Sequence, residues 1–202
     1  MSSLEAFIND DELCQLDPLI KMTLIHHQLE SIHPFADGNG RIGRILNALY
    51  LTRTGLLDIP ILYLSRHINQ HKAEYYRLLQ SVRENGDWES WVLYMLEAVE
   101  KTSRTTLALV EGIRKQMADV KQRMRTHLAK IYSQDLLNNL FRHPYTRIQF
   151  VKDDLGVTRQ TAAEYLEQLV EKGFLEKHKS GRSNYYVNTA LVALFLQVSE
   201  GP

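Results

Sequence analysis

Residues 33–44 read HPFADGNGRIGR, and what lies on either side of this stretch decides the fold. Upstream, the segment from Pro18 to Glu30 is apolar at Leu19, Ile20, Met22, Leu24, Ile25 and Leu29, close to helical spacing. Asp17 suits an N-cap and Pro18 suits the first helical position. His33-Pro34 ends that helix, because a residue before proline disfavours the α region. Downstream, Ile42, Ile45, Leu46, Leu49, Tyr50 and Leu51 predict a second helix from Arg41 to Thr54, with Gly55 at its C′ position. The stretch is therefore a loop that feeds a helix N-terminus. Free N–H groups and the helix dipole make that place an anion site.

The residue types in the loop fit such a site. Gly38 and Gly40 let the backbone approach a phosphate. Arg41 and Arg44 are three apart and share a helix face, where two guanidiniums can clamp phosphate oxygens. Asp37 is a hard oxygen ligand of the kind that holds magnesium together with substrate phosphates. His33 titrates near neutrality and suits general-base work on a hydroxyl. Asn39 offers a side-chain amide to a phosphate, and Phe35, apolar in a polar loop, is expected to anchor the loop in the core. Each element alone has a plainer reading. A GNGR turn is often only a tight turn, and His-Pro only a helix stop. Their combination between two helices is what favours a nucleotide site.

The spacing satisfies H-x-F-x-[DE]-G-N-G-R-x-x-R at all eight specified positions, and so resembles the signature of Fic-domain proteins. The resemblance implies a mainly α-helical core that binds ATP with Mg2+ and moves AMP to a Ser, Thr or Tyr hydroxyl of a target protein. It implies His33 as base, Asp37 as metal ligand, and Phe35, Gly38, Asn39, Gly40, Arg41 and Arg44 around the phosphates. It extends to the helices expected over His67–Arg83 and Trp88–Val99, with a turn at Asn85-Gly86-Asp87. In the family one tyrosine of the pair at Tyr75 and Tyr76 can line the base pocket; core packing is the plainer role for both.

Family members usually carry earlier helices and a β-hairpin flap that aligns the target. No flap is evident before the motif, so weak transfer is expected. Many members also carry an inhibitory [ST]-x-x-x-E-[GN] helix. Glu precedes Gly or Asn at Glu84, Glu111 and Glu200, and Gln80, Leu107 and Leu196 stand four residues earlier, so that pattern is absent.

From Leu96 to about Ile131 the chain is rich in Glu, Lys, Arg, Gln and Ala. Leu107, Val110, Ile113, Met117, Val120 and Met124 recur every three or four residues, which predicts one or two long helices. Such a stripe packs on the core or pairs with a second copy in a homodimer. From Ser133 onward, short helices over Leu136–Phe141 and Thr146–Leu155 precede one over Arg159–Glu171, capped by Thr158. Strands over Phe174–Lys177 and Asn184–Val187 flank Ser180-Gly181-Arg182-Ser183. A helix-turn-helix followed by a hairpin resembles a winged helix. Arg159, Gln160 and Thr161 at the start of the presumed recognition helix, with Lys177, Lys179 and Arg182 on the wing, are candidate DNA contacts. Glu164, Glu167 and Glu171 on that helix would repel phosphates, which favours protein docking.

Charge supports two modules. Residues 1–110 hold 10 Lys/Arg against 14 Asp/Glu, and residues 111–190 hold 14 against 9. The expected organisation is a Fic-like core over 1–110, a helical connector over 111–132 and a small α+β winged helix over 132's successor residues, 133–202. Cys14 is the only cysteine, which excludes an intrachain disulfide and fits a cytoplasmic protein. No apolar run approaches the ~20 residues of a membrane span. The function expected is protein adenylyltransferase. The rivals are a DNA-binding transcriptional regulator with a nucleotide-sensing core, and a truncated, catalytically weak interaction protein.

Overall fold

The computed structural model describes residues 1–10, 12–181 and 183–200. The chain divides into two compact units, Met1–Thr106 and Leu107–Pro202. It is mainly helical, with one small antiparallel sheet in the second unit. No helix among the described residues is long and apolar enough to cross a membrane.

In the first unit, α1 (Ser2–Asn9) packs on α2 (Pro18–Ile32), and α2 packs on α3 (Asn39–Arg53). The Asp17 carboxylate accepts from Leu19 N–H at 2.8 Å and caps α2, with Pro18 in the first turn. Helix α2 carries Met22, Ile25 and Leu29 into the core, where α5 (Lys72–Asn85) contributes Tyr75, Leu78, Leu79 and Val82. Trp91 on α6 (Trp88–His127) is fully buried there, and its indole N–H donates to Thr23 C=O at 3.0 Å. A buried Trp brings a large apolar area, and its N–H needs an acceptor.

One sequence expectation changes here. The helix expected over His67–Arg83 is split into α4 (Ser65–Gln70) and α5. The break is at His71, whose backbone N–H and Nδ1 both reach His67 C=O at 3.0 Å. The side chain thus competes for the acceptor that a continuing helix uses once. The run after Trp88 is one helix of 40 residues, α6.

The second unit holds α7 (Gln134–Arg142), β1 (Tyr145–Thr146), α8 (Ile148–Leu155), α9 (Arg159–Glu171), β2 (Glu176–Ser180), β3 (Ser183–Val187) and α10 (Thr189–Glu200). The sheet order is β1-β3-β2, the arrangement of a winged helix. Met124, Leu128 and Ile131, from the stretch read as a connector, share its core with Leu136, Leu140, Val151, Leu166 and Tyr186. The Thr158 hydroxyl accepts from Thr161 N–H at 3.1 Å and caps α9. Tyr145 and Thr146 form a strand where a helix start was expected. They pair with Val187 and Tyr186, and the Thr146 hydroxyl donates to Asn139 at 2.6 Å. Phe174 and Leu175 are core residues of the turn after α9, so β2 begins later than expected, at Glu176. Helix α10 was not expected; Asn188 caps it through a 3.1 Å bond from Leu191 N–H.

Trp91→Ala should destabilise the first unit by about 3–5 kcal/mol, the range for deleting a large buried aromatic. Urea unfolding followed by circular dichroism measures it. A change under about 1 kcal/mol would remove Trp91 from the centre of this core.

Candidate functional site

The loop between α2 and α3 begins with backbone strain. His33 is the α2 C-cap, at φ 51° and ψ 55°, and is the one non-glycine residue with positive φ among those described. A left-handed histidine persists only where its surroundings insist on it. Pro34 turns the chain away, and Gly38, at φ 84°, caps α3 without a side-chain bond. The first N–H groups of α3 therefore have no intrahelical acceptor and face outward.

Asn39 closes the loop. Its Nδ2 donates to Phe35 C=O at 2.6 Å, and its Oδ1 accepts from Phe35 N–H at 3.0 Å. The residue is 2% exposed. This corrects two sequence readings. Phe35 does not anchor the loop through its ring, which is 45% exposed. The Asn39 amide, offered to a phosphate in the sequence reading, is instead engaged with the loop backbone. A buried two-point amide–backbone bond fixes the loop more firmly than an apolar contact at its rim.

A cavity of about 480 Å³ opens above the loop. His33, Asp37, Gly38, Asn39, Gly40, Arg41 and Arg44 line one side, and Tyr75 and Tyr76 line the other. Asp37 and Arg41 form an exposed ion pair of 3.1 Å at the mouth. Such a pair is weak and opens readily to a ligand. Asp37 fits the demand of magnesium for one or two carboxylates plus phosphates. No cluster of three or more metal-ligating side chains exists among the described residues. Tyr75 is 3% exposed while Tyr76 is 55% exposed, so only Tyr76 offers a free ring face. Burial holds the Tyr75 hydroxyl well above its ordinary pKa, so it stays neutral.

The wall also holds groups that the motif does not name: Glu30, Asn69, Lys72 and Arg83. Beneath them runs a buried polar layer. His26 lies with Nε2 2.9 Å from the Tyr75 hydroxyl, and the Asn47 amide donates to its Nδ1 at 3.1 Å. Burial lowers the His26 pKa from 6.5 to about 4. His27, also lowered by burial, bonds Leu79 C=O at 3.2 Å. Gly43 makes room for this layer. A Cβ there would stand 2.9 Å from Glu30 Oε1 and 3.0 Å from His26 Cε1. A sequence signal for Glu30 existed: a carboxylate in the last turn of a helix opposes the helix dipole and needs a reason.

The candidate DNA contacts lie in the second unit. Arg159, Gln160 and Lys179 are exposed, and Thr161 is half-buried. Gln160 donates to Glu164 at 3.1 Å. Lys177 is paired with Glu167 at 2.5 Å, and Glu167 also accepts from the Tyr186 hydroxyl at 2.8 Å. Arg182 lies outside the described residues.

The His26 shift makes stability depend on pH. The unfolded chain binds a proton below about 6.5 that the folded chain refuses until about pH 4. Stability should therefore fall as pH drops through that window, by roughly 2–4 kcal/mol from this group. Denaturant unfolding at pH 7 and pH 4.5 should show a smaller loss in His26→Gln than in the parent. Equal losses would mean His26 does not carry the effect.

The family model "Fic/DOC family" matches residues 1–51, and "Protein adenylyltransferase SoFic-like, C-terminal domain" matches residues 116–191. Together they span more than half of the chain. The "Protein adenylyltransferase Fic" proteins of Drosophila erecta and Culex quinquefasciatus are each 33% identical over 102 residues, covering 50% of this chain and 19% of theirs. The chain thus spans only about a fifth of the length of these curated relatives. A crystal structure of a Fic family protein from Desulfovibrio desulfuricans G20 superposes with a TM-score of 0.48 at 22% identity, covering 92% of this chain and 54% of that one. The chain belongs to the Fic/DOC family and carries a C-terminal domain of the SoFic-like type.

Proposed function

We propose that this chain is a protein adenylyltransferase that moves AMP from ATP to a hydroxyl side chain of a target protein. The observation that carries the reading is the convergence of His33, the free α3 amides, Arg41, Arg44 and an exposed tyrosine ring on one cavity. The 33% identity to protein adenylyltransferases over half of the chain supports it.

In this reading the target hydroxyl attacks the α-phosphorus of ATP. The bond from that phosphorus to the bridging oxygen breaks, and pyrophosphate leaves with the electron pair. His33 takes the hydroxyl proton. The α3 N–H groups meet the negative charge that builds on the phosphate oxygens, a preorganised electrostatic effect. Arg44 and Arg41 hold the outer phosphates, and Tyr76 offers a face to the base. Asp37 would hold magnesium together with the phosphates, and the ion would supply positive charge toward the departing pyrophosphate.

The second unit is read as a protein-contact module rather than a DNA reader. Lys177 on the wing pairs with Glu167 on α9, so a carboxylate would face a phosphate backbone there alongside the cation.

The test is incubation of the chain with ATP, magnesium and cell lysate, with mass spectrometry for AMP adducts on protein hydroxyls. Adducts are expected from the parent. His33→Ala should lower transfer by about 10²–10⁴ while ATP affinity, measured by calorimetry, stays within a few-fold. Equal transfer by the mutant would remove His33 from the mechanism, and adducts from neither would sink the activity.

A further inference from the structure

Glu30 lies at the back of the cavity, on the last turn of α2, and lines it with Arg44 and Arg83. It is 8% exposed, and its Oε1 is buried without a hydrogen-bond partner. Arg44 Nε is buried and unpartnered beside it. The Glu30 and Arg44 side chains flank the same point of the phosphate loop. A Cβ on Gly40 would lie 3.2 Å from one Arg44 amino nitrogen and 3.6 Å from Glu30 Oε1. The loop that would receive phosphates thus has a carboxylate directly behind it, and Gly43 is the opening through which that carboxylate reaches α3.

This is not how a pocket is built for maximal anion affinity. Arg41, Arg44, Lys72 and Arg83 supply positive charge, and an isosteric glutamine at position 30 would leave all of it in place. A carboxylate there instead repels incoming phosphate oxygens, and burial weakens the solvent screening of that repulsion. The repulsion is least for a ligand whose phosphates arrive with a divalent cation.

Resting on the nucleotide-site reading above, we propose that Glu30 is a specificity-determining residue. Its buried carboxylate makes the pocket select polyphosphates carrying a bound divalent cation over the same polyphosphates as bare anions. Glu30 acts at a distance on the phosphates and is not a metal ligand; Asp37 at the mouth has that position.

Protonation of Glu30 should relax the selection. The groups facing it are His26 from its own helix, His33 at that helix's C-cap, Arg44 from α3, and Tyr75 and Arg83 from α5. Burial raises its pKa above the ordinary carboxylate value, against the pull of His33, Arg44 and Arg83. The neutral form is therefore reached at a higher pH than for an ordinary carboxylate.

The test compares the parent chain and Glu30→Gln by calorimetry with ATP plus EDTA, ATP plus magnesium, and AMP. Glu30→Gln should bind metal-free ATP about tenfold tighter. Magnesium-ATP and AMP should change by less than about threefold, because less negative charge then faces position 30. Glu30→Asp, which keeps the charge, should retain the parent's preference, and circular dichroism checks that each variant folds. In a His33→Ala background, metal-free ATP affinity should still rise as pH falls, and that rise should vanish when Glu30→Gln is added. A parallel shift for all three ligands, or no shift, overturns the proposal and leaves the nucleotide site standing. Failure of the parent to bind ATP in either form would overturn the site and the proposal together.

Discussion

The two hydrogen bonds between the Asn39 side chain and the Phe35 backbone are the constraint on which the site depends. They join the start of the loop to the first residue of α3. Once that closure is made, His33 must lie just before it and the α3 N–H groups just after it. The anion-binding character of the helix end then follows without any side chain. The loop needs no apolar anchor, and Phe35 is left at the surface.

A second layer supports the first. Where α2 packs on α3 there is a buried polar layer: His26 bonds Asn47 through one ring nitrogen and Tyr75 through the other, with Trp91 stacked on it. Buried polar networks of this kind favour one arrangement over many, because any slip leaves a group unsatisfied. The arrangement sets the angle at which the loop leaves α2. It also fixes Tyr75 as part of the wall, leaving Tyr76 as the exposed ring of the pair.

Much of this was legible in the sequence because it is local. The Asp17-Pro18 cap, the stop at His33-Pro34 and the α3 start each rest on neighbours within four residues. So do the Thr158 cap and the hairpin of the second unit. What escaped depends on distance. Asn39 looked free because nothing in the sequence says that Phe35 returns to it. Strand β1 is two residues long and exists only because Tyr186 and Val187 lie alongside. The break at His71 comes from a side chain taking a second bond to one carbonyl, a contest that periodicity does not register. Glu30 was passed over because the motif begins three residues later, and its meaning comes from α3 and α5.

The position of Gly43 bears on how this fold tolerates change. An interior helical glycine normally invites alanine, which stiffens the unfolded chain less costly to order and strengthens the helix. Here the missing methyl is occupied space, filled by the Glu30 carboxylate and the His26 ring. A thermostabilising library built on helix propensity would rank this site highly and be misled by it. Variation at positions 26, 30 and 43 should be drawn as a linked triplet, so that a larger residue at one is admitted only with a smaller partner at another.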